Sequence, residues 1–174
     1  MGIWAAVDQV WPGSRQQRCW NHKIINVLDK IPKRTQAEAR TLLVQIPYAH
    51  TRQEAENLRK RFATRYRSQF PNAVDALDRD WDRMITFYDL PKEHWKHLRT
   101  TNVVESPFAS VRLRTNAAKR HKKVANATAL IWRTLMVAEK RFRKLDAPHL
   151  LKDVYARKQY QDGTAITVGN RVAA

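Results

Sequence analysis

Glu105 stands in a setting that suits phosphodiester chemistry. The polar stretch Arg99-Thr100-Thr101-Asn102 precedes it, and Arg112 and Arg114 follow. Mg²⁺ prefers one or two carboxylates together with phosphate oxygens. Two such ions can activate an attacking oxygen and stabilise a leaving one. The competing role is structural. Asn102 and Glu105 have the spacing of a capping box, so the carboxylate could simply cap a helix. Pro107 argues against a helix that begins at Asn102, because the missing N–H and the ring are costly beyond the first turn. Ser106 as N-cap with Pro107 as the first helical residue is the expected arrangement. Read from the residues alone, capping remains the favoured role for Glu105.

Cys19 and His22 form a Cys-x-x-His pair, and His94 and His97 repeat that spacing around Trp95. Four-ligand zinc can be imagined from these groups, but one cysteine and scattered histidines argue against it. The expectation is that zinc does not bind stably, that Cys19 is buried beside Trp20, and that His94 and His97 are surface or hydrogen-bonded groups. Asp75, Asp78 and Asp82 share a helical face, with Arg79 and Arg83 one turn along, so local ion pairs explain them without a metal. Neither a glycine-rich phosphate loop nor a Ser-His-Asp arrangement can be argued from the spacing.

The longest cationic feature runs through Arg112, Arg114, Lys119, Arg120, Lys122 and Lys123, then Arg133, Lys140, Arg141, Arg143 and Lys144. Between Ser106 and Leu145 the sole acid is Glu139. Solvated faces usually mix both signs, so phosphate contact is the better reading.

The elements that must position these groups are helical. Ile3, Trp4, Val7, Val10 and Trp11 mark a first helix, stopped by Pro12-Gly13. Trp20, Ile24, Val27 and Leu28 mark a second, and Ala37 to Val44 a third. Thr51-Arg52-Gln53-Glu54 reads as a capping box opening a helix striped by Ala55, Leu58, Phe62 and Tyr66. Pro71 opens a helix that carries Val74, Leu77, Trp81 and Met84. The polar stretch Arg99 to Asn102 precedes Val103 to Thr115, and a last helix from about Ala125 to Leu145 carries Ile131, Leu135, Ala138, Phe142 and Leu145 on one face. Residues 116–123 are expected to be irregular, and the tail after Ala156 frayed.

Charge bounds the partner. Lys plus Arg total 33 against 16 Asp plus Glu, a formal net charge of +17 on 174 residues. Such an excess repels itself in a compact fold and is best tolerated beside a polyanion, whose counterions are released on contact. Nucleic acid is the default partner, and an anionic membrane surface its competitor. No apolar run approaches the roughly 20 residues needed to span a bilayer. The lone Cys19 excludes an internal disulfide, and a cytosolic, nucleoid-associated protein is the simplest expectation.

Two segments carry more than composition. The first is Gln17-Arg18-Cys19-Trp20-Asn21-His22-Lys23, followed by Asn26-Val27-Leu28-Asp29-Lys30. The second runs from Glu93-His94-Trp95-Lys96-His97-Leu98-Arg99 through Thr100-Thr101-Asn102-Val103-Val104-Glu105-Ser106 to Phe108-Ala109 and Val111-Arg112-Leu113-Arg114-Thr115. Both resemble signature blocks of Mutator-type bacterial transposases, in the right order and at a suitable separation. The resemblance extends from about Gly2 to Tyr160.

That resemblance implies a ribonuclease-H-like (DDE) catalytic domain with three acidic residues and two divalent metals, Mg²⁺ or Mn²⁺, with a helical insertion ahead of the third acid. Residues 1–98 correspond to the insertion region, 99–158 to the end of the catalytic domain, and 159–174 to a flexible tail. Glu105 matches the third acid and so becomes a metal ligand. Cys19 and His22 match a motif of uncertain role. Arg99, Asn102, Arg112, Arg114, Lys119, Arg120, Lys122, Lys123, Arg133 and Lys140 are the expected DNA contacts. The first two catalytic aspartates have no match here, since Asp8 falls inside a helical segment. The expectation is therefore a mainly α carboxyl-terminal fragment with its core sheet largely missing. It should bind double-stranded DNA at transposon ends, self-associate through exposed apolar faces, and be inactive alone. A non-enzymatic DNA-binding protein that regulates or inhibits the full transposase is the alternative.

Overall fold

The computed structural model describes residues 3–166, and within them nearly all regular structure is helical. Helix α1 (Ile3–Val10) ends in a turn at Gly13, whose φ of +86° is one that glycine adopts without strain. Helices α2 (Trp20–Leu28), α3 (Lys33–Leu43), α4 (Arg52–Tyr66) and α5 (Pro71–Asp78) then pack around one core. Short helices α6 (Trp81–Met84) and α7 (Trp95–Leu98) close it. Helices α8 (Asn102–Ala118) and α9 (Val124–Glu139) form a hairpin of their own, and α10 (Leu151–Tyr155) precedes a small antiparallel ribbon of β1 (Tyr160–Gln161) and β2 (Thr164–Ala165).

The core follows from helical spacing. Trp20, Ile24, Val27 and Leu28 recur on one face of α2 and are all buried, against Val74 and Leu77 of α5 and Leu43 of α3. Burial of each such side chain contributes about 1.5–3 kcal/mol. Phe87, Tyr88 and Trp95 complete the cluster, Trp95 meeting Phe87 edge-on at 5.2 Å and Tyr88 at 4.9 Å between ring centres. The cap of α4 forms as expected on one side: Glu54 N–H donates to the Thr51 hydroxyl over 3.1 Å. The reciprocal bond is displaced by one residue, because the Glu54 carboxylate takes the N–H of His50 at 2.7 Å.

Five expectations need correction. The helix predicted to run from Pro71 past Met84 breaks after Asp78. Asp80 adopts φ 58°, which Asp tolerates, and its carboxylate is claimed by the Arg18 guanidinium. Lys23 then caps the freed end of α5, donating from Nζ to Ala76 O at 2.9 Å and also to Arg79 O. The ion pairs of this acidic face are not local: Asp75 and Asp78 pair with Arg67, and Asp78 also with Arg59, so the cations come from the α4 side.

Helix α8 starts at Asn102, with Thr101 as N-cap, rather than at Pro107. The Thr101 carbonyl already accepts from Glu105 N–H at 3.0 Å, and the interior Pro107 is buried, which offsets its lost backbone bond. Helix α9 stops at Glu139, short of Phe142 and Leu145. From there the chain turns back to the bundle, where Asp146 meets Lys96 and lies 3.6 Å from His97.

The tail is not frayed through residue 165. Asp162 and Gly163 both have positive φ, 49° and 81°, and make a two-residue turn that pairs Gln161 with Thr164. The ribbon docks on the core: Lys92 N–H donates to Gly163 O, and Gly163 N–H to Tyr88 O. Tyr160 is buried, and the Asp162 carboxylate accepts Arg52 N–H at the start of α4 over 2.7 Å. Residues 167–174 of the expected tail lie outside the described residues.

The α8–α9 hairpin differs from the bundle in burial. No residue of α9 is buried, and Phe108, Leu113, Val124, Trp132 and Val137 are exposed. No described helix is long and apolar enough to cross a membrane.

Candidate functional site

Two helix starts meet at the site. Cys19 is the N-cap of α2 in extended conformation, and His22 follows in its first turn, three residues on and on the same side. The start of α2 is fixed by Trp20. Its ring is buried, its indole N–H donates to Met84 O at 2.9 Å, and its backbone N–H donates to Arg99 O at 2.9 Å. That last bond brings the segment leading into α8 alongside Cys19. Thr101 N–H then donates to Cys19 Sγ over 3.4 Å, and Asn21 Nδ2 donates to Asn102 Oδ1 over 3.1 Å.

Glu105 stands in the first turn of α8 and faces back across this junction. The Thr101 hydroxyl donates to its carboxylate, and His22 Nδ1 lies 3.7 Å from Oε1. The sulfur of Cys19, a ring nitrogen of His22 and a carboxylate oxygen of Glu105 all lie within 4.8 Å of one another. They border an open cavity of about 450 Å³, with Trp4, Arg18 and Lys23 also on its wall. Burial pushes the Cys19 thiol up, but hydrogen bonds from Thr101 and from the His22 backbone outweigh it and hold the thiol below its ordinary value.

His94 and His97 are not part of this cluster. His94 is buried with Nε2 3.3 Å from Ala147 O, and His97 Nε2 accepts Asp146 N–H at 3.2 Å. Both hold the return from α9 to the bundle, as hydrogen-bonded groups. Cys19 is half-buried rather than enclosed.

The expected DNA contacts separate into two groups. Arg114 and Arg133 face each other across a groove of about 950 Å³ between α8 and α9, with Asn102 at its edge and Arg141 and Arg143 on its wall. Arg112, Lys119, Arg120, Lys122, Lys123 and Lys140 are exposed on or beside the same hairpin. Arg99 is elsewhere. Its guanidinium is held over Tyr48, Phe87 and Trp95, 5.0–5.5 Å from the ring centres. Burial lowers its pKa, and its Nε is buried without a hydrogen-bond partner. This is the geometry of a cation–π clamp on the core.

Thr101 is the functional neighbour that sequence reasoning missed. It touches both Cys19 and Glu105, and the polar run Arg99 to Asn102 was the available signal. Glu105 is the single carboxylate of the cluster, and its companions are a thiol and an imidazole. Mg²⁺ takes oxygen donors, so this donor set does not by itself hold Mg²⁺.

Known proteins share these segments. The family described as "Transposase, Mutator family" matches residues 1–144. The chain is 40% identical over 163 residues to the transposase for insertion sequence element IST2 of Acidithiobacillus ferrooxidans, covering 94% of this chain and 55% of that protein. It is 38% identical over 163 residues to the transposase for insertion sequence element IS6120 of Mycolicibacterium smegmatis, covering 94% of this chain and 50% of that protein. A transposase for insertion sequence element ISRM5 of Rhizobium meliloti is similar at 26% over 117 residues, 66% of this chain and 29% of that protein. The chain thus spans about half the length of the first two relatives. By family match and by identity over nearly its whole length, the chain belongs to the Mutator family of transposases.

Proposed function

We propose that the chain grips duplex DNA with the α8–α9 hairpin and contributes Glu105 to the catalytic centre of a complete, ribonuclease-H-like transposase that cuts and joins transposon ends. The observation that carries this is the layout of α8. Glu105 stands in its first turn, and Arg112 and Arg114 follow two to three turns along, Arg114 opposite Arg133 of α9. Arg112, two turns from Glu105, shares its face of α8, so a backbone phosphate held there would lie along the same face as the carboxylate. Arg114, on the other side of the helix, would hold a phosphate in the groove together with Arg133. Arg99, clamped by three rings, positions the approach to α8 instead of touching DNA. Mg²⁺ or Mn²⁺ is the ion such an enzyme would use, held by carboxylates in addition to Glu105. The exposed apolar side chains of the hairpin, Leu113 and Trp132 among them, favour self-association.

Binding to duplex DNA across a salt series tests the grip. With about six phosphate contacts, log affinity falls against log salt with a slope near −5. Arg114→Ala with Arg133→Ala reduces the slope by about two. A slope near zero, or equal binding to any polyanion, contradicts the DNA assignment.

A further inference from the structure

We propose that Cys19, His22 and Glu105 form a binding site for a borderline-soft divalent cation, Zn²⁺ in preference to Mg²⁺, with a fourth position left open to water. The site goes beyond the transposase reading and describes the chain by itself, where Glu105 is the single carboxylate of its cluster and no oxygen-donor set competes for it with Mg²⁺; it stands on proximity.

Distance is the first argument. Tetrahedral zinc bound through sulfur, nitrogen and oxygen sets neighbouring donor atoms about 3.3–3.6 Å apart. His22 Nδ1 and Glu105 Oε1 are already 3.7 Å apart, and no pair of the three donors exceeds 4.8 Å. Closing the remaining ångström or so takes rotamer adjustments of His22 and Glu105, both exposed. The backbones beneath them are fixed, because Trp20 ties the start of α2 to Met84 and to Arg99.

Donor chemistry is the second. Thiolate, imidazole and a single carboxylate are zinc ligands, whereas Mg²⁺ takes oxygen and sheds water reluctantly. The expectation against zinc rested on one cysteine and scattered histidines. Glu105 supplies the third ligand from a helix far along the sequence. Three protein ligands plus water is the coordination of an open site, so the ion exchanges more readily than from a closed four-ligand site.

Charge and outer contacts are the third. Thiolate and carboxylate together cancel the two charges of the ion, which suits a chain of net charge +17. The two cations nearest the site are engaged elsewhere, Arg18 with Asp80 and Lys23 with Ala76 O and Arg79 O. Thr101 gives the outer support such ligands need: its N–H donates to Cys19 Sγ and its hydroxyl to the Glu105 carboxylate. The cavity of about 450 Å³ leaves the ion a way in.

The test uses the chain without DNA, so its outcome is separate from that of the transposase reading. Equilibrium dialysis with Zn²⁺ is expected to give one ion per chain that excess Mg²⁺ does not displace. Co²⁺ in its place should show a near-ultraviolet thiolate band and tetrahedral visible absorption. Cys19→Ser abolishes the thiolate band. His22→Gln and Glu105→Gln each weaken Zn²⁺ by more than about tenfold, a loss that even outer partners can cause. Far-ultraviolet circular dichroism confirms that each variant keeps its helices. Substoichiometric zinc, an octahedral Co²⁺ spectrum without the thiolate band, or affinity unchanged in folded Cys19→Ser or Glu105→Gln would overturn the site.

Discussion

The His22 imidazole and the Glu105 carboxylate lie 3.7 Å apart, although one belongs to α2 and the other to α8. The contact joins the two segments that carry the family resemblance into one junction. It exists because Trp20 N–H bonds Arg99 O, placing the N-caps of both helices side by side. A motif of uncertain role and a candidate catalytic acid thereby become parts of one site.

Trp20 is the pin of that junction, so its loss should be felt in stability and at the site together. Trp20→Ala removes a fully enclosed ring and the indole bond to Met84 O. The expected cost is about 3–5 kcal/mol, read from urea denaturation. Trp20→Phe keeps most of the apolar burial and should cost about 1–3 kcal/mol, from the smaller ring and the lost indole bond, with Met84 O still accepting from Gln17 Nε2 at 3.0 Å. Equal costs for the two variants would show that ring volume is irrelevant at this position.

Gly163 is required by both its backbone and its surroundings. Its φ is +81°, and a Cβ there would come within 2.6 Å of Lys92 Cβ and 2.9 Å of Trp95. Gly163→Ala should lower stability by about 2 kcal/mol or more, combining left-handed strain with displacement of the ribbon from the core. Thermal unfolding measures this, and protease cleavage between α10 and the ribbon should accelerate in parallel. A neutral result would mean that the ribbon does not rest on Lys92 and Trp95.

Tyr88 sets an alkaline limit on the fold. Burial raises its pKa far above the ordinary 10.0, against the opposing pull of the Arg99 cation. The unfolded tyrosine therefore ionises first as the pH rises. The stabilising contribution is complete below pH 10.0 and declines from there toward the raised folded value. Tyr66 shifts in the same direction, also through burial, while Lys23, lowered by burial, works the other way. The comparison of variants is therefore the test. Tyr88→Phe loses the bond to Ala49 O, about 1 kcal/mol at neutral pH, and should flatten the alkaline decline. An unchanged slope above pH 10.0 would assign that decline to other groups.

Helical spacing made the bundle legible in the sequence: the stripe of Trp20, Ile24, Val27 and Leu28 is the core face of α2, and Thr51 caps α4. The breaks were less legible because tertiary contacts decide them. Asp80 leaves the helix to meet Arg18, and Pro107 is accepted inside α8 once its ring is buried. The Asp162-Gly163 pair is the usual signal of a two-residue hairpin and was readable, but so short a ribbon shows no alternating pattern on either side. Cys19, His22 and Glu105 were each singled out by type and spacing. Their convergence was not readable, because a backbone bond between distant segments creates it.

The role of Glu105 is tested most directly in a complete transposase in which this chain is joined to the preceding segment of the family's catalytic domain. Strand cleavage of a transposon-end duplex is measured with Mg²⁺, for the parent and for Glu105→Gln, alongside DNA binding by both. The expected result is cleavage by the parent, loss of cleavage to background in Glu105→Gln, and unchanged DNA affinity. The isolated chain, with one carboxylate at the site, should stay at background. Cleavage that persists in Glu105→Gln, or appears equally in the isolated chain with and without that substitution, would contradict the assignment of Glu105 to the catalytic centre.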